Sequence, residues 1–220
     1  MTDRRTNHFP YKDVFDIYDH YVNKVSFLDF KHALTGGLLW KAQHPEAEAY
    51  YNSKHAKAGA GCNDCHTPKV KDKKTGKVYT SHFAVTPKAQ LKETCLKCHP
   101  KWTEEQAKYS IDSIKAHIRG KMRKAEFRLS VLIDKIVEAK KAGVDAEVIK
   151  QAQDQHLKAH ILWEFWTAEN SDGFHNPQMA REALAKSVDE ALKGIEIITN
   201  AMAPKPAAAA TPAVPATPVK

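Results

Sequence analysis

The chain has 220 residues, of which 42% are hydrophobic and 27% are charged. It is long enough for one ordinary core or two small ones, and this composition gives no reason to expect disorder in its main body. No apolar run reaches the length that a bilayer requires, which excludes a membrane-spanning helix, whereas a net charge of +8 leaves nucleic acid or an anionic surface to be considered as a partner.

The first hundred residues show little long-range periodicity. Short helical patterns cover about residues 13–25 and 46–56, and the remainder is expected to form loops. The basic run from Lys69 to Lys77 contains a Thr75-Gly76 turn signal, so it predicts a solvated hairpin rather than a docking patch. With so few regular elements, this part of the chain needs another source of apolar area to hold it together.

All four cysteines lie in two copies of the pattern C-x-x-C-H, formed by Cys62, Cys65 and His66 and by Cys95, Cys98 and His99. Two thiols at this spacing reach the vinyl groups of one porphyrin and the adjacent histidine binds the iron, so the pattern predicts two covalent haem c groups. A zinc ribbon also uses two C-x-x-C pairs, but it needs no histidine after each pair. A redox dithiol or a structural disulfide is less favoured for the same reason.

Twelve histidines are a high count for a chain of this length. A second histidine would close the sixth coordination position of each iron, and a closed iron passes electrons without binding substrate. Haem propionates would also account for the basic side chains, so no nucleic-acid partner is expected. Spacing alone does not select among the ten candidates outside the motifs, which are His8, His20, His32, His44, His55, His82, His117, His156, His160 and His175.

The pattern changes to long helices after Trp102. Thr103 and Gln106 form a capping box, and apolar residues follow at alternating three and four spacing as far as Gly143. A helix of this length is expected to pack along another helix. The periodicity does not decide whether that helix belongs to the same chain or to a second copy.

Two more helices are predicted in the rest of the chain. One begins near Asp145 and is expected to end around Gly173, and the next begins with Asn176 as its N-cap and Pro177 in its first turn. The third helix stops before Pro204, where a stretch of Ala, Pro, Thr and Val without amphipathic periodicity begins.

These patterns predict a mainly α protein, a multihaem cytochrome c in which a loop-rich, haem-wrapping region is followed by three long helices. Residues 1–102 are expected to form the dihaem-binding region and residues 103–203 the long-helix region. Residues 204–220 are expected to be a disordered Pro/Ala tail.

The run from Lys41 to Glu46 (KAQHPE) resembles a signature of the ammonia-forming, pentahaem cytochrome c nitrite reductases. The resemblance covers about residues 8–201 and continues, in order and spacing, through Ser53 to His55, the first haem motif, Thr80 to His82, the second haem motif and Ala168 to Pro177. It implies that the chain is the C-terminal half of an oxidoreductase that reduces nitrite to ammonium with six electrons.

The resemblance also implies which histidines bind iron. His175 would be the distal ligand of the haem at Cys62, Cys65 and His66, and His55 would be the distal ligand of the haem at Cys95, Cys98 and His99. His82 matches the distal ligand of a haem that, in the family, is attached to the N-terminal half of the protein.

Three residues of the KAQHPE run are implied in the active site. His44 would be the active-site histidine, which hydrogen-bonds nitrite above the catalytic haem and helps to protonate it. Lys41, through its carbonyl, and Gln43, through its side chain, resemble two ligands of the family's calcium ion, a hard cation that prefers oxygen donors.

A homodimer formed through the C-terminal helices and a quinol-linked cytochrome as electron donor are further implications. A periplasmic location is implied as well, because the family's haem is attached outside the cytoplasm. Residues 1–20 contain Arg4 and Arg5 but no apolar segment typical of a signal peptide, so the export signal is expected from a preceding segment or a partner.

The family's catalytic haem is bound at a C-x-x-C-K motif, which does not occur in this chain. The chain by itself is therefore not expected to reduce nitrite. The alternative is a self-contained dihaem electron carrier without enzymatic activity, in which His44, Lys41 and Gln43 have no chemical role. A hydroxylamine-oxidising relative would share the haem motifs but not the KAQHPE run.

Overall fold

A computed structural model describes residues 9–204. Within this range the α-helices are α1 (Glu46–Tyr51), α2 (Lys54–Lys57), α3 (Cys62–His66), α4 (Cys95–Cys98), α5 (Glu104–Lys141), α6 (Ala146–Ala168) and α7 (Pro177–Met202). The strands β1 (Phe30–Lys31) and β2 (Leu38–Leu39) pair antiparallel, as do β3 (Lys69–Lys71) and β4 (Val78–Thr80). The predicted mainly α fold is confirmed, and no helix of the described range is long and apolar enough to cross a membrane.

Helix α5 begins at the predicted capping box. The Thr103 hydroxyl accepts a hydrogen bond from the Gln106 N–H at 3.2 Å, and the Gln106 side chain accepts one from the Thr103 N–H at 2.9 Å. Gly143 follows the end of the helix with a φ of 71°, a conformation that favours glycine. The predicted apolar stripe faces the core, where the buried residues include Ile111, Ile118, Ala125, Leu129, Leu132 and Ile136.

Helix α6 ends at Ala168, so the predicted end around Gly173 is wrong. Glu169 takes an extended conformation, and its carboxylate accepts hydrogen bonds from the backbone N–H groups of Ser171 and Gly173. These local bonds replace the helical ones and turn the chain. Helix α7 begins as predicted, because the Asn176 side chain accepts a hydrogen bond from the Met179 N–H.

The three long helices pack against one another within the chain. Gly194 of α7 permits this approach, since a Cβ at that position would lie 2.8 Å from Leu132 of α5. Ser187 donates a buried hydrogen bond of 2.7 Å to the Ala159 carbonyl and joins α7 to α6. Intrachain packing therefore accounts for the long apolar stripe of α5.

The region before α5 consists of short elements, as predicted. Residues 13–25, expected to be helical, form a 3-10 segment (Val14–Asp16) and a π-helical segment (Asp19–Lys24) rather than one α-helix. Val14 packs in one buried cluster with Trp166 of α6, which fixes this region on the long helices. The predicted solvated hairpin is confirmed as β3 and β4, with Gly76 in its turn and every residue of β4 exposed.

Three histidines meet beneath the segment that leads to the KAQHPE run. The His156 ring lies 5.2 Å from His32 and 6.1 Å from His160 between centroids, and its Nδ1 has no hydrogen-bond partner within the described range. His160 Nε2 lies 3.0 Å from the Trp40 carbonyl oxygen. Burial, together with the neighbouring imidazoles, lowers the pKa of His156 to about 3 and the pKa of His160 to about 4.

This cluster predicts that the free energy of unfolding falls as the pH drops from about 7 to about 5. In the unfolded chain a histidine has a pKa of about 6.5, whereas the pKa values of His156 and His160 are much lower in the folded protein. The free energy of unfolding is therefore highest above the pKa of the unfolded histidines and falls as the pH drops below it. The loss at pH 5 is on the order of 2 kcal/mol per histidine. Urea titrations at several pH values measure the slope. His156→Leu should flatten it, and equal slopes in both proteins would contradict the prediction.

Candidate functional site

The two C-x-x-C-H motifs lie on the short helices α3 and α4. Each pair of thiols is three residues apart and so projects from one face of a helical turn, where both can reach a single flat group. Cys62 and Cys98 are exposed, and Cys65 and Cys95 are partly buried. Burial raises the pKa of Cys65 and the thiols of Cys95 and Cys98 raise it further, which indicates that the two motifs are neighbours.

The histidine of the first motif faces His175. The ring centroids of His66 and His175 are 6.2 Å apart, with an angle of 72° between the ring planes. A metal–imidazole bond is about 2.0 Å long, so two imidazoles on opposite sides of one metal have their nitrogens about 4 Å apart and their ring centroids roughly 6 Å apart. The observed spacing matches that arrangement.

Hydrogen bonds orient both rings of this pair. His66 Nδ1 lies 3.3 Å from the Val85 carbonyl oxygen, and His175 Nδ1 lies 2.6 Å from Glu169 Oε1. Because both partners are acceptors, each Nδ1 carries the proton and each Nε2 keeps its lone pair free. This is the tautomer that an iron ligand needs.

The second motif forms a similar pair. The ring centroids of His99 and His55 are 6.5 Å apart, with the ring planes at 90°. Ser53 caps α2, which carries His55, by accepting a hydrogen bond from the Ala56 N–H at 3.1 Å. Desolvation lowers the pKa of His55 and the nearby His99 lowers it further, which favours the neutral, ligand-competent imidazole. Trp102 stacks on His99 at 4.4 Å.

The donor set of both pairs fits haem c. Two thiols on one helical turn would attach a haem c through its vinyl groups, and the two imidazoles of each pair would bind its iron. Ordinary edge-to-face aromatic contacts have similar centroid distances. They would not explain why a C-x-x-C pair of cysteines lies next to each of the two histidine pairs. Among residues 9–204, no group of three or more His, Cys, Asp or Glu side chains is arranged to hold a metal ion by itself.

The loop between α6 and α7 delivers His175. Asp172 and Gly173 have φ values of 53° and 75° and reverse the chain. Arg119 of α5 binds Asp172 with two hydrogen bonds of 3.0 and 2.7 Å, and Lys115 lies 3.6 Å from the same carboxylate. Two basic side chains of the longest helix therefore hold the loop in place.

The same loop contacts His44. The side-chain amide nitrogen of Asn170 lies 3.1 Å from His44 Nδ1 and also bonds Glu46 Oε1. Since both partners accept, the amide donates to each, and His44 carries its own proton on Nε2. The His44 side chain is 80% exposed, and its backbone has a φ of 51°. The ring is thus held by one nitrogen and presents the other outward.

The remaining residues of the run border a cavity of about 180 Å³. Lys41 and Gln43 line it together with the carboxylates of Asp29 and Glu48. Asp29 also accepts a hydrogen bond of 2.9 Å from the Lys41 N–H. Carbonyl, amide and carboxylate oxygens are the ligands that Ca²⁺ prefers, so these residues fit a calcium ion.

The remaining predicted residues do not belong to the histidine pairs or to the cavity. His82 follows β4 in an exposed, extended segment. His8 lies outside the described residues, and so does the predicted Pro/Ala tail except Pro204. Sequence reasoning gave no role to Glu169, Asn170 or Arg119, although the first two belong to the run from Ala168 to Pro177 that carries the resemblance.

Comparisons with known proteins identify the family of the chain. The cytochrome c552 family matches residues 2–219. The cytochrome c-552 of Haemophilus ducreyi is 34% identical over 194 residues, 85% of this chain and 37% of that protein, and that of Haemophilus influenzae is 29% identical over 175 residues, 80% of this chain and 32% of that protein. The chain therefore spans about a third of the length of these relatives.

The fold is similar to that of a solved cytochrome c nitrite reductase from Desulfovibrio desulfuricans, a structure described for its two calcium sites. The TM-score is 0.74 and the identity 26%, over 79% of this chain and 37% of that one. Together with the match over nearly the whole sequence, this similarity confirms the resemblance stated above. The chain belongs to the cytochrome c552 family.

Proposed function

We propose that the chain carries two bis-histidine haem c groups and forms the electron-transfer and substrate-facing part of a cytochrome c nitrite reductase, which reduces nitrite to ammonium. The observation that carries the proposal is the pairing of each C-x-x-C-H histidine with a second histidine at the spacing of opposite axial ligands. Haem bound there would supply one-electron transfer at a closed iron.

The chain's own residues divide this work. The thiols of each motif would hold a porphyrin, and its iron would be bound by His66 with His175 at the first motif and by His99 with His55 at the second. The His55 ring of one pair lies 6.4 Å from the ring of Phe174, which directly precedes His175 of the other pair. The two sites are therefore neighbours, and electrons could pass from one to the other. His82 would serve a haem on another segment or polypeptide, because it is exposed and belongs to neither pair.

His44 would act on the substrate. With Nδ1 engaged by Asn170, its outward Nε2–H can donate a hydrogen bond, and then a proton, to an oxygen of nitrite. Lys41 and Gln43 would hold calcium beside it and stiffen the segment. The iron that binds nitrite would come from a C-x-x-C-K haem outside this chain, which contains no such motif.

The partners follow from the same family. We propose that the chain works in the periplasm, receives electrons from a quinol-linked cytochrome, and assembles as a homodimer through its long helices. Exposed Tyr109 and Phe127 on α5 offer apolar area for such an interface. A non-enzymatic dihaem electron carrier is the second candidate, favoured by the absence of a C-x-x-C-K motif from the chain.

Nitrite turnover distinguishes the two candidates. The haem-loaded chain is combined with a polypeptide that supplies a C-x-x-C-K haem, and ammonium is measured with a reduced dye as electron source. We expect no turnover without the second polypeptide, and His44→Gln should lower kcat on the order of 10²-fold with unchanged haem spectra. The exposed His117→Gln is the control. Full activity of His44→Gln, or none in any combination, would favour the carrier.

A further inference from the structure

A buried carboxylate stands directly behind one of the histidine pairs. Glu169 is only 3% exposed and its side chain is fully buried. A carboxylate in such a place is costly unless donors satisfy it. Glu169 has four of them, which are the Ser171 N–H at 3.0 Å, the Ser171 hydroxyl at 2.8 Å, the Gly173 N–H at 3.1 Å and His175 Nδ1 at 2.6 Å.

The bond to His175 fixes the direction of the ring. Glu169 accepts through Oε1, so His175 donates through Nδ1 and keeps Nε2 free on a ring whose centroid lies 6.2 Å from that of His66. Tyr50 meets the His175 ring edge-on at 5.9 Å, and the Tyr50 hydroxyl is itself tied to the Ala60 carbonyl at 2.7 Å. The ring is therefore held by a hydrogen bond and by packing before any iron binds.

The hydrogen bond to Glu169 also changes the strength of His175 as a ligand. An imidazole that donates to a carboxylate becomes a stronger donor at its other nitrogen, and a stronger donor stabilises ferric over ferrous iron. His66 has a neutral acceptor, the Val85 carbonyl, at the longer distance of 3.3 Å. Within the described part of the chain, His55 and His99 show no hydrogen bond to a carboxylate. The two haem sites therefore differ electrostatically.

We propose that Glu169 is a positioning residue that fixes His175 and lowers the reduction potential of the haem at the Cys62 motif below that of the haem at the Cys95 motif. The inference rests on the haem attachment proposed above. Electrons would consequently collect on the Cys95 haem, and the Cys62 haem would be the stronger reductant of the two.

The test is spectroelectrochemical titration of the haem-loaded chain at one fixed pH. Glu169→Gln keeps the shape but removes the charge, so the oxidation equilibrium of one haem should shift about tenfold towards ferrous iron, which is 59 mV for a one-electron couple, and the other haem should not move. Glu190→Gln is the control, because Glu190 is also a buried glutamate but pairs with Lys193 on α7. Unchanged potentials in a Glu169→Gln protein with two haems would overturn the inference.

A second measurement needs no variant. In the reduced, diamagnetic wild-type chain, the Nδ1–H proton of His175 should resonate further downfield than that of His66, because it lies in the shorter, charge-assisted bond. Equal shifts would also overturn the inference. A chain without covalent haem would instead remove the proposed function, and a failure of that kind is recognised before any potential is measured.

Discussion

Replacing His175 by glycine should convert one of the two haems from six-coordinate to five-coordinate without detaching it. The thioethers at Cys62 and Cys65 and the proximal His66 are untouched, whereas the second axial nitrogen is removed. Half of the low-spin absorption should be replaced by a high-spin spectrum. Added imidazole should restore the low-spin form, because it can enter the space that the ring vacates.

His82→Gly is the matched control for this change. His82 is exposed and belongs to neither histidine pair, so its removal should leave both spectra unaltered. His55→Gly should instead affect the other haem, at the Cys95 motif. Two low-spin haems in His175→Gly without added imidazole would contradict the ligand assignment.

Gly173→Ala should be among the most destabilising single substitutions of the loop that carries His175. A Cβ at this position would lie 2.7 Å from Ile118 Cγ2 and 3.1 Å from the Ala180 Cβ, and the φ of 75° is unfavourable for alanine. Strain and overpacking together should lower the free energy of unfolding by about 2–4 kcal/mol. Denaturant titration of the haem-loaded protein measures this loss.

Substitutions at two other glycines distinguish the cost of backbone strain from the cost of overpacking. Gly143 has a φ of 71° but open space around it, so Gly143→Ala should report the backbone strain alone, about 1–2 kcal/mol. Gly120 lies in α5 with no atom near the added Cβ, and Gly120→Ala should stabilise the protein by up to about 1 kcal/mol. If Gly173→Ala costs no more than Gly143→Ala, the close packing against Ile118 is wrong.

The long helices could be predicted because their signals are local. The capping box at Thr103, the N-cap at Asn176 and the regular apolar stripe of α5 each depend on residues a few positions apart. The end of α6 could not be predicted in this way. It depends on the Glu169 carboxylate bonding the backbone of the following turn, and a glutamate is ordinarily a good helix former.

The residues of the site also differ in whether a local sequence signal identifies them. Spacing identified the haem motifs, and only the family resemblance selected His175 and His55 from ten candidates. In the structure each of these histidines lies opposite the histidine of its motif. No spacing or charge pattern in the sequence indicated these pairings. Asn170 and His44 are separated by 126 residues, and such a contact leaves no signal in a single sequence.

Covalent haem attachment is tested most directly by the mass of the denatured chain after expression in a cell that matures c-type cytochromes. We expect a mass equal to the polypeptide plus two haem groups, with one haem on the peptide that contains Cys62 and Cys65 and one on the peptide that contains Cys95 and Cys98. A colourless chain with the mass of the bare polypeptide would contradict this expectation.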